Sequence, residues 1–349
     1  MRDYQTKQRE LLEQSEGVIF PYSDRWVESH RRFAEKMWPN KLRRRDEAYN
    51  RWKFRGPQHG DVNGLLLAVV DGQVVGQLGL IPVKLWVNGE IYDAQWACDL
   101  MVDPGVRKMG LGSMLFAVAM ARGWVTLGSE PSPLADITMT RIGFKPLVGP
   151  HKMVLPLDVR VLMGWILKER FKGLIPILSK ILQPINRLRI NTLVKKPIRD
   201  VHYAGWEDVL PLVAEQQSKL SKPHILHDKA YLAWRYNVPF DADIHTFQSS
   251  NGSYAICEGA GRDYYVYDWH TVNRSECIRL FTKILGEAIQ AGCQNILAFA
   301  NDDLERKRLM KVGFLKMRTP IRVIYHSVEP ILDRFEKFHY CIYDSDGNL

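Results

Sequence analysis

The chain has 349 residues, of which 46% are hydrophobic and 25% charged, and its formal net charge is +9. This length is typical of two domains, and the apolar content suffices for two packed cores. The five cysteines are odd in number, scattered and without a C-x-x-C pair, so we expect neither a disulfide framework nor a metal site. Residues 1–17 are polar and no uncharged apolar run reaches membrane-spanning length, which predicts a cytoplasmic location.

The first half of the chain predicts a sheet of hairpins followed by alternating helices and strands. Apolar strands are expected at 64–70, 74–83 and 95–102, with a two-residue turn at Asp71-Gly72 and a hairpin over 84–94. A helix at 112–122, a strand at 124–128, a helix at 134–141 and a final strand at 148–155 follow.

The loop between strand 95–102 and helix 112–122 is the most informative stretch. Pro104 and Gly105 end the strand, and Arg107, Gly110 and Gly112 lead directly into an apolar helix. Such a loop directs several backbone N–H groups at one point on the positive end of the helix dipole, and glycine lets a ligand come close. A pyrophosphate suits this place, although the spacing is neither that of a P-loop nor G-x-G-x-x-G. The alternative is a glycine-containing turn without a ligand.

The pattern Arg-x-x-Gly-x-Gly after Val-x-Pro resembles the acyl-CoA loop of the GCN5-related N-acetyltransferase (GNAT) superfamily, and the order of elements matches from about 18 to 155. The resemblance implies that acetyl-CoA, or another acyl-CoA, is the cofactor. It implies that strand 98–102 pairs with the pantetheine amides and donates an N–H to the thioester carbonyl, while loop N–H groups hold the pyrophosphate. The implied cofactor-binding residues are Leu100, Met101, Val102, Arg107, Lys108, Met109, Gly110, Leu111, Gly112 and Ser113.

The resemblance leaves the acid and base open. The family often places a tyrosine on the helix after the fifth strand as general acid, and 134–141 contains none. Asp99 and Glu130 are candidates to accept the amine proton, and Ser132 to hydrogen-bond the sulfur. The alternatives are an outward-facing strand residue for Asp99 and a loop carboxylate for Glu130. The predicted function is an acetyl-CoA-dependent N-acetyltransferase acting on the amine of a small acceptor, for example an amino sugar of surface polysaccharide biosynthesis.

Two separated segments share one unusual pattern. Residues 49–57 and 231–239 both read Tyr-x-x-Trp-basic-aromatic-x-x-Pro, and the Gly-Phe step at Gly143 is echoed at Gly313. A repeat of this size indicates two copies of one fold. The second copy predicts strands at 253–258, 264–270 and 294–300, and helices at 274–291 and 302–312, with Asn301 as the N-cap of the last helix.

The second copy lacks the glycine loop, since no glycine lies between Gly261 and Gly286. We therefore expect it to have lost acyl-CoA binding, and Asp268 takes the position that resembles Asp99. The predicted fold class is α/β with a mixed α+β sheet, arranged as two tandem acyl-CoA N-acyltransferase-like domains. Their expected bounds are 1–155 and 201–349, joined by a basic amphipathic helical connector at 156–200.

The connector is strongly basic. Residues 159–196 contain nine Lys and Arg but one acid, and apolar residues recur between them at helical spacing. Pro176 and Pro184 are expected to break it into short helices. One interpretation is a connector that packs on both domains. The other is an interfacial segment attracted to anionic lipid at the inner membrane face, which would make the protein peripheral.

The expected partners are thus a small amine acceptor and, on the second interpretation, an anionic membrane surface through 159–196. No nucleic-acid-binding motif is present, so nucleic acid is not an expected partner. The sequence predicts no oligomeric state. The alternative function is a low-activity tandem GNAT-fold binding module that acts at the membrane surface within an envelope or polysaccharide assembly.

Overall fold

The structure is a computed structural model that describes residues 2–40, 46–57, 64–167, 173–194, 200–240 and 242–345. The helices of this part are α1 (Arg2–Ser15), α2 (Val27–Met37), α3 (Glu47–Arg55), α4 (Leu111–Met120), α5 (Pro133–Arg141), α6 (Val159–Ile166), α7 (Ile175–Val194), α8 (Trp206–Ser218), α9 (Lys229–Tyr236), α10 (Arg274–Gln290) and α11 (Asp303–Val312). The strands are β1 (Ile19–Pro21), β2 (Leu65–Val70), β3 (Gln73–Val87), β4 (Glu90–Val102), β5 (Val125–Ser129), β6 (Lys145–Pro156), β7 (Val201–Tyr203), β8 (His224–Ile225), β9 (Ile244–Ser249), β10 (Tyr254–Ala260), β11 (Asp263–His270), β12 (Asn295–Ala300) and β13 (Leu315–His326).

The chain forms two compact units, and neither is continuous in sequence. Unit 1 consists of Met1–Gly149, Leu220–Asp241 and Ile321–His339, and unit 2 consists of Pro150–Lys219, Ala242–Pro320 and Tyr340–Leu349. The expected segments 1–155, 156–200 and 201–349 do not coincide with these units, because β6 and β13 each begin in one unit and end in the other. Local periodicity predicts that a strand forms but not which sheet edge receives it.

The sheet of unit 1 runs in the order β1-β2-β3-β4-β5-β13, and β8 pairs with β3. All of these neighbours are antiparallel except β4 and β5, which are parallel. The separate strands expected between 74 and 102 are one long hairpin, in which β3 and β4 pair from Gly76–Val102 to Val87–Glu90. Asn88 and Gly89 both have positive φ at its tip, as a tight two-residue turn requires.

Unit 2 repeats this plan. Its sheet runs in the order β6-β12-β11-β10-β9-β7, with β11 and β12 parallel and the other neighbours antiparallel. In both units an antiparallel hairpin leads into a helix and then into a parallel strand. Those helices bury their apolar faces in separate cores: Leu115 and Phe116 of α4 in unit 1, and Phe281 and Leu285 of α10 in unit 2.

The repeated aromatic motif forms two matching helices, α3 and α9, both within unit 1. Each begins on an aspartate whose side chain accepts a hydrogen bond from the N–H of the motif tyrosine, Asp46 from Tyr49 and Asp228 from Tyr231. The motif tryptophans stack at 5.3 Å and exchange hydrogen bonds: Trp52 Nε1 donates to the Trp234 carbonyl at 3.0 Å, and Trp234 Nε1 to the Trp52 carbonyl at 2.9 Å. The two copies of the motif therefore form one reciprocal contact.

Two local predictions about helices are wrong. The connector is not broken at Pro184, because α7 continues through it from Ile175 to Val194. The missing N–H of Pro184 leaves the Lys180 carbonyl without its helical partner, but Lys180 is exposed, so water can reach that carbonyl. The N-cap of α11 is Asp302 rather than Asn301, since Asp302 Oδ1 accepts from the Glu305 N–H at 2.8 Å.

Candidate acyl-CoA site

The glycine loop of unit 1 is a short 3₁₀ turn, Pro104–Met109, that joins β4 to α4. Asp103 begins it and accepts a hydrogen bond from the Gly105 N–H at 3.0 Å. The same carboxylate pairs with Lys36 Nζ at 2.5 Å, and these two hydrogen bonds hold the pKa of Asp103 below its ordinary value. Gly110 ends the turn with φ 72°, a left-handed conformation that favours glycine. The loop is thus fixed at both ends.

The first turn of α4 offers uncapped backbone donors. Gly110, its N-cap residue, supplies no side-chain hydrogen bond. Within the described residues, the N–H groups of Leu111 and Gly112 have no hydrogen-bond acceptor. A Cβ built on Gly110 or Gly112 would meet nothing within 4 Å. Neither packing nor a positive φ requires glycine at position 112. Access for a ligand is the remaining physical reason for a glycine there. Arg107 and Lys108 are exposed beside this opening.

The cofactor strand β4 has an open edge. It pairs with β5 only from Ala94–Val125 to Trp96–Leu127, and no strand within the described residues covers that edge over 97–102. On its other edge β4 remains paired with β3, with a bulge in which Asp99 and Leu100 lie opposite the single residue Leu78. Because β4 and β5 are parallel, both run toward the same end of the sheet, and α4 begins just beyond β4. The predicted cofactor residues of the strand and of the loop therefore share one end of unit 1.

Asp99 does not face solvent, contrary to the alternative considered for it. Its Oδ2 accepts from Lys53 Nζ at 2.7 Å, and the side chains are 6% and 0% exposed. Its backbone has φ 50°, and its carbonyl accepts from Gln77 Nε2 at 3.3 Å. An ammonium neighbour favours the ionised form of a carboxylate. Asp99 therefore suits the role of a counter-ion that holds the bulge rather than that of a proton acceptor.

Glu130 and Ser132 follow the end of β5. Glu130 is exposed with φ 42°, and its N–H donates to the Arg322 carbonyl at 2.9 Å. Ser132 is the N-cap of α5, where its hydroxyl oxygen accepts from the Ala135 N–H at 3.3 Å. The hydroxyl hydrogen of Ser132 is left for another acceptor. Helix α5 contains no tyrosine, as expected from the sequence.

Three buried polar residues near the bulge were missed by the sequence reasoning: Lys53, Gln77 and His30. His30 Nε2 lies 2.8 Å from Gln77 Oε1, and burial lowers the pKa of His30. Lys53 of α3 contacts the Asp99 carboxylate, and His30 of α2 reaches the Asp99 carbonyl through Gln77 of β3. Lys53 is the basic residue of the repeated motif, so the sequence did contain a signal for it, but not for its partner 46 positions away.

The corresponding place in unit 2 is closed by the protein itself. Asn273 caps α10 by accepting from the Glu276 N–H at 3.0 Å, whereas Gly110 gives α4 no such cap. Arg308 Nη2 donates to the Val272 carbonyl at 3.2 Å. A side chain of the protein therefore already contacts the segment that replaces the loop. The first turn of α10 is thus capped by a side chain, unlike that of α4.

The C-terminal segment covers the strand opening of unit 2. Strands β11 and β12 pair only from Asp263–Asn295 to Tyr265–Leu297. Past that point Tyr343 donates to Asp268 Oδ2 at 3.3 Å, and Tyr340 stacks on Phe299 at 5.5 Å. The hydroxyl of Tyr254 also donates to Asp268, at 3.4 Å. Asp268, the counterpart of Asp99, is therefore a buried packing residue.

The segment that contains the open loop and strand is similar to a known protein family. The sequence model of the family described as "Acetyltransferase (GNAT) domain" matches residues 31–123, which include α2, α3, the β3–β4 hairpin, the glycine loop and α4. Residues 31–123 are therefore similar to a GNAT domain. The predicted resemblance to the GNAT superfamily and the enzyme class, an acyltransferase, are thereby confirmed, whereas this match does not test the tandem arrangement. GNAT domains use acyl-CoA, so the coarser cofactor prediction also holds.

Solved structures show that the likeness of fold extends over most of the chain. A GCN5-related N-acetyltransferase from Kribbella flavida has a TM-score of 0.53 and 12% sequence identity. The alignment covers 88% of this chain and 70% of the Kribbella chain. One from Anabaena variabilis has a TM-score of 0.55 and 11% identity, with 87% and 71% covered. The Saccharomyces cerevisiae N-myristoyltransferase with bound myristoyl-CoA has a TM-score of 0.57 and 13% identity, with 89% and 82% covered.

These likenesses confirm the predicted fold class, a mixed α/β fold with tandem acyl-CoA N-acyltransferase-like domains. At such low identity they show the fold alone. A comparison with curated protein sequences gives no significant match. Among the described helices, none combines the length and the apolar character that a membrane span requires.

Proposed function

We propose that the GNAT domain of this chain transfers an acetyl group from acetyl-CoA to the amine of a small acceptor. The observation that carries this proposal is the strand edge of β4 that no described strand covers, together with the uncapped first turn of α4 at the same end of unit 1. The open edge of β4 suits an extended pantetheine chain, which would add to the sheet as a further strand. The uncapped N-terminus of α4, beside Arg107 and Lys108, suits the pyrophosphate.

The proposed reaction forms one amide bond and breaks one thioester bond. The amine nitrogen attacks the thioester carbonyl carbon, the carbon–sulfur bond breaks, and CoA leaves as a thiol with a proton gained. A β4 N–H facing the carbonyl oxygen would stabilise the negative charge that develops there. Binding of both substrates at the end of the sheet would supply proximity, which is a large part of the barrier reduction for such transfers.

Glu130 is the proposed acceptor of the amine proton, because it is exposed at the end of β5 and makes no ion pair within the described residues. The hydroxyl of Ser132 is proposed to donate to the departing sulfur, since its oxygen is already engaged as a cap. Asp99 is proposed as a positioning residue, which orients the bulge through Lys53. Amino sugars are the acceptor class to test first.

The proposal is tested by calorimetric titration with acetyl-CoA of the wild type and of Gly112→Trp. Ser275→Trp is the matched control, because Ser275 is exposed and is the second residue of α10 as Gly112 is of α4. We expect the wild type and the control to bind, and Gly112→Trp to lose binding. A wild type that does not bind acetyl-CoA, or a Gly112→Trp variant that binds normally, would contradict the proposal.

A second candidate is a GNAT-fold binding module with little activity at a membrane surface. The lack of a tyrosine in α5 and the exposed apolar residues of α7 favour it. Turnover separates the candidates: release of the CoA thiol in the presence of amines supports the enzyme, whereas acetyl-CoA binding without thiol release supports the module. Myristoyl-CoA should be tried beside acetyl-CoA, because the yeast N-myristoyltransferase of similar fold holds that donor.

A further inference from the structure

Helix α7 of the connector carries an exposed apolar ridge. Ile177, Ile181, Ile185 and Leu188 are 63%, 62%, 62% and 67% exposed. Their spacing of four, four and three residues places them on one side of the helix, along about 16 Å. Exposed apolar residues that occur singly are ordinary, but a continuous ridge of this kind marks an interaction surface.

The opposite side of α7 fixes the helix to unit 2. The Gln183 side chain accepts from the Val159 N–H at 2.9 Å and donates to the Leu157 carbonyl at 3.2 Å. Asn186 Nδ2 donates to the same carbonyl at 3.1 Å, and Ile190 is buried in the unit 2 core. Because this side is anchored, the apolar ridge is held outward rather than free to turn inward.

Positive charge borders the ridge. Lys180 and Arg187 are exposed and lie two helical turns apart on one flank, where they line an open depression of about 510 Å³ together with Gln183, Pro184 and Leu188. Residues 173–194 contain no acidic residue. An apolar ridge with cations and no acids beside it complements a surface that is apolar within and anionic at its boundary.

We propose that α7 docks this protein on an anionic lipid bilayer, with Ile177, Ile181, Ile185 and Leu188 inserted at the headgroup boundary and Lys180 and Arg187 bound to lipid phosphates. A helix of this composition lies in the plane of the interface rather than across it. The attraction of its cations to anionic lipid is electrostatic and weakens with salt. This inference does not rest on the proposed transferase activity.

The test is cosedimentation of the full chain with phosphatidylcholine vesicles, with and without phosphatidylglycerol. We expect binding to the anionic vesicles that weakens with salt. The triple variant Ile177→Ser, Ile181→Ser and Ile185→Ser should lose about tenfold or more in vesicle affinity, because it removes three apolar side chains that the bilayer would bury. Lys180→Gln with Arg187→Gln should lose the preference for phosphatidylglycerol.

The matched control is Leu304→Ser with Met310→Ser, which removes exposed apolar residues from α11 of the same unit. It should bind anionic vesicles like the wild type. Absence of wild-type binding, or equal binding by the triple variant, would overturn the inference. Dimerisation that the triple variant abolishes, without vesicle binding, would show that a second copy covers the ridge instead. Acetyl-CoA titration of the triple variant keeps this outcome separate from the transferase proposal.

Discussion

At the scale of single residues, the β4 bulge rests on a buried ion pair. Lys53 is fully buried, and its ammonium lies 2.7 Å from the Asp99 carboxylate. Removing one charge of a buried ion pair destabilises the folded state, because the other charge then stays buried without that partner. The pair therefore ties the repeated-motif helix α3 to the strand that would hold the cofactor.

We expect Lys53→Met and Asp99→Asn each to lower the free energy of unfolding by about 3–5 kcal/mol. The double variant should cost much less than the sum of the two, because neither charge is then left alone. Urea denaturation of the three variants measures this coupling. Lys84→Met is the control in the same hairpin, since its pair with Asp93 is partly exposed and should be worth no more than about 1 kcal/mol. Additive effects at Lys53 and Asp99 would contradict the account.

The residue scale also shows where sequence reasoning ends. The sequence predicts the candidate acyl-CoA loop because its turn residues, glycines and helix start are consecutive. It does not predict the environment of Asp99, because its partner lies far back in the chain and the bulge exists only through the pairing with β3. Asp99, one of the two carboxylates that the sequence offered as proton acceptors, is thus better explained as a counter-ion.

At the scale of elements, the matched helices α3 and α9 begin with the same device. Asp46 accepts from the Tyr49 N–H at 2.7 Å, and Asp228 accepts from the Tyr231 N–H at 2.8 Å. A side-chain acceptor at this position satisfies one of the backbone donors that the first turn of a helix leaves over. The repeat therefore includes the aspartate three residues before each tyrosine.

We expect Asp46→Ala and Asp228→Ala each to lower the free energy of unfolding by about 1 kcal/mol. Their effects should be similar, because the two caps have the same geometry. Asp46→Asn and Asp228→Asn should cost less, since asparagine keeps an acceptor oxygen. Thermal or urea unfolding measures all four, and a neutral Asp228→Ala would show that the second cap has no energetic role.

Most element types followed from the sequence because their signals are local. Asp71-Gly72 and Asn88-Gly89 marked turns, and the apolar runs beside them became β2, β3 and β4. The predicted helix break at Pro184 was wrong. The free-energy cost of a proline inside a helix is smaller where water can hydrogen-bond the freed carbonyl. The N-cap of α11 moved by one position because Asn301 and Asp302 are both good caps, and only the three-dimensional structure decides between them.

At the scale of the whole molecule, each unit is built from segments that are far apart in the sequence. The final residues of β13, Val323–His326, pair with β5 in unit 1, and β6 pairs with β12 in unit 2. The motif helix α9 also belongs to unit 1. The sequence repeat predicts two copies of a fold. No local pattern encodes which of the two units a given strand joins.

We therefore expect a fragment of residues 1–155 not to fold and not to bind acetyl-CoA, because it lacks β13, β8 and α9. Coexpression of 1–155 with 156–349 should restore binding if the pieces associate. Circular dichroism and calorimetric titration of the fragment and of the pair provide the measurement. A fragment that folds and binds alone would show that the contributed strands are dispensable.

The discontinuity of unit 1 in sequence also affects when this unit can fold during synthesis on the ribosome. Unit 1 begins at Met1, yet its last segment starts at Ile321. At about 5–20 residues per second, roughly 9–34 s pass between the emergence of Gly149 and that of Ile321. During this interval β5 has no strand on its outer side, and the edge stays open to unintended partners such as chaperones or neighbouring nascent chains. The unit that carries the proposed acyl-CoA loop therefore begins first, yet it stays incomplete until nearly the whole chain has been made.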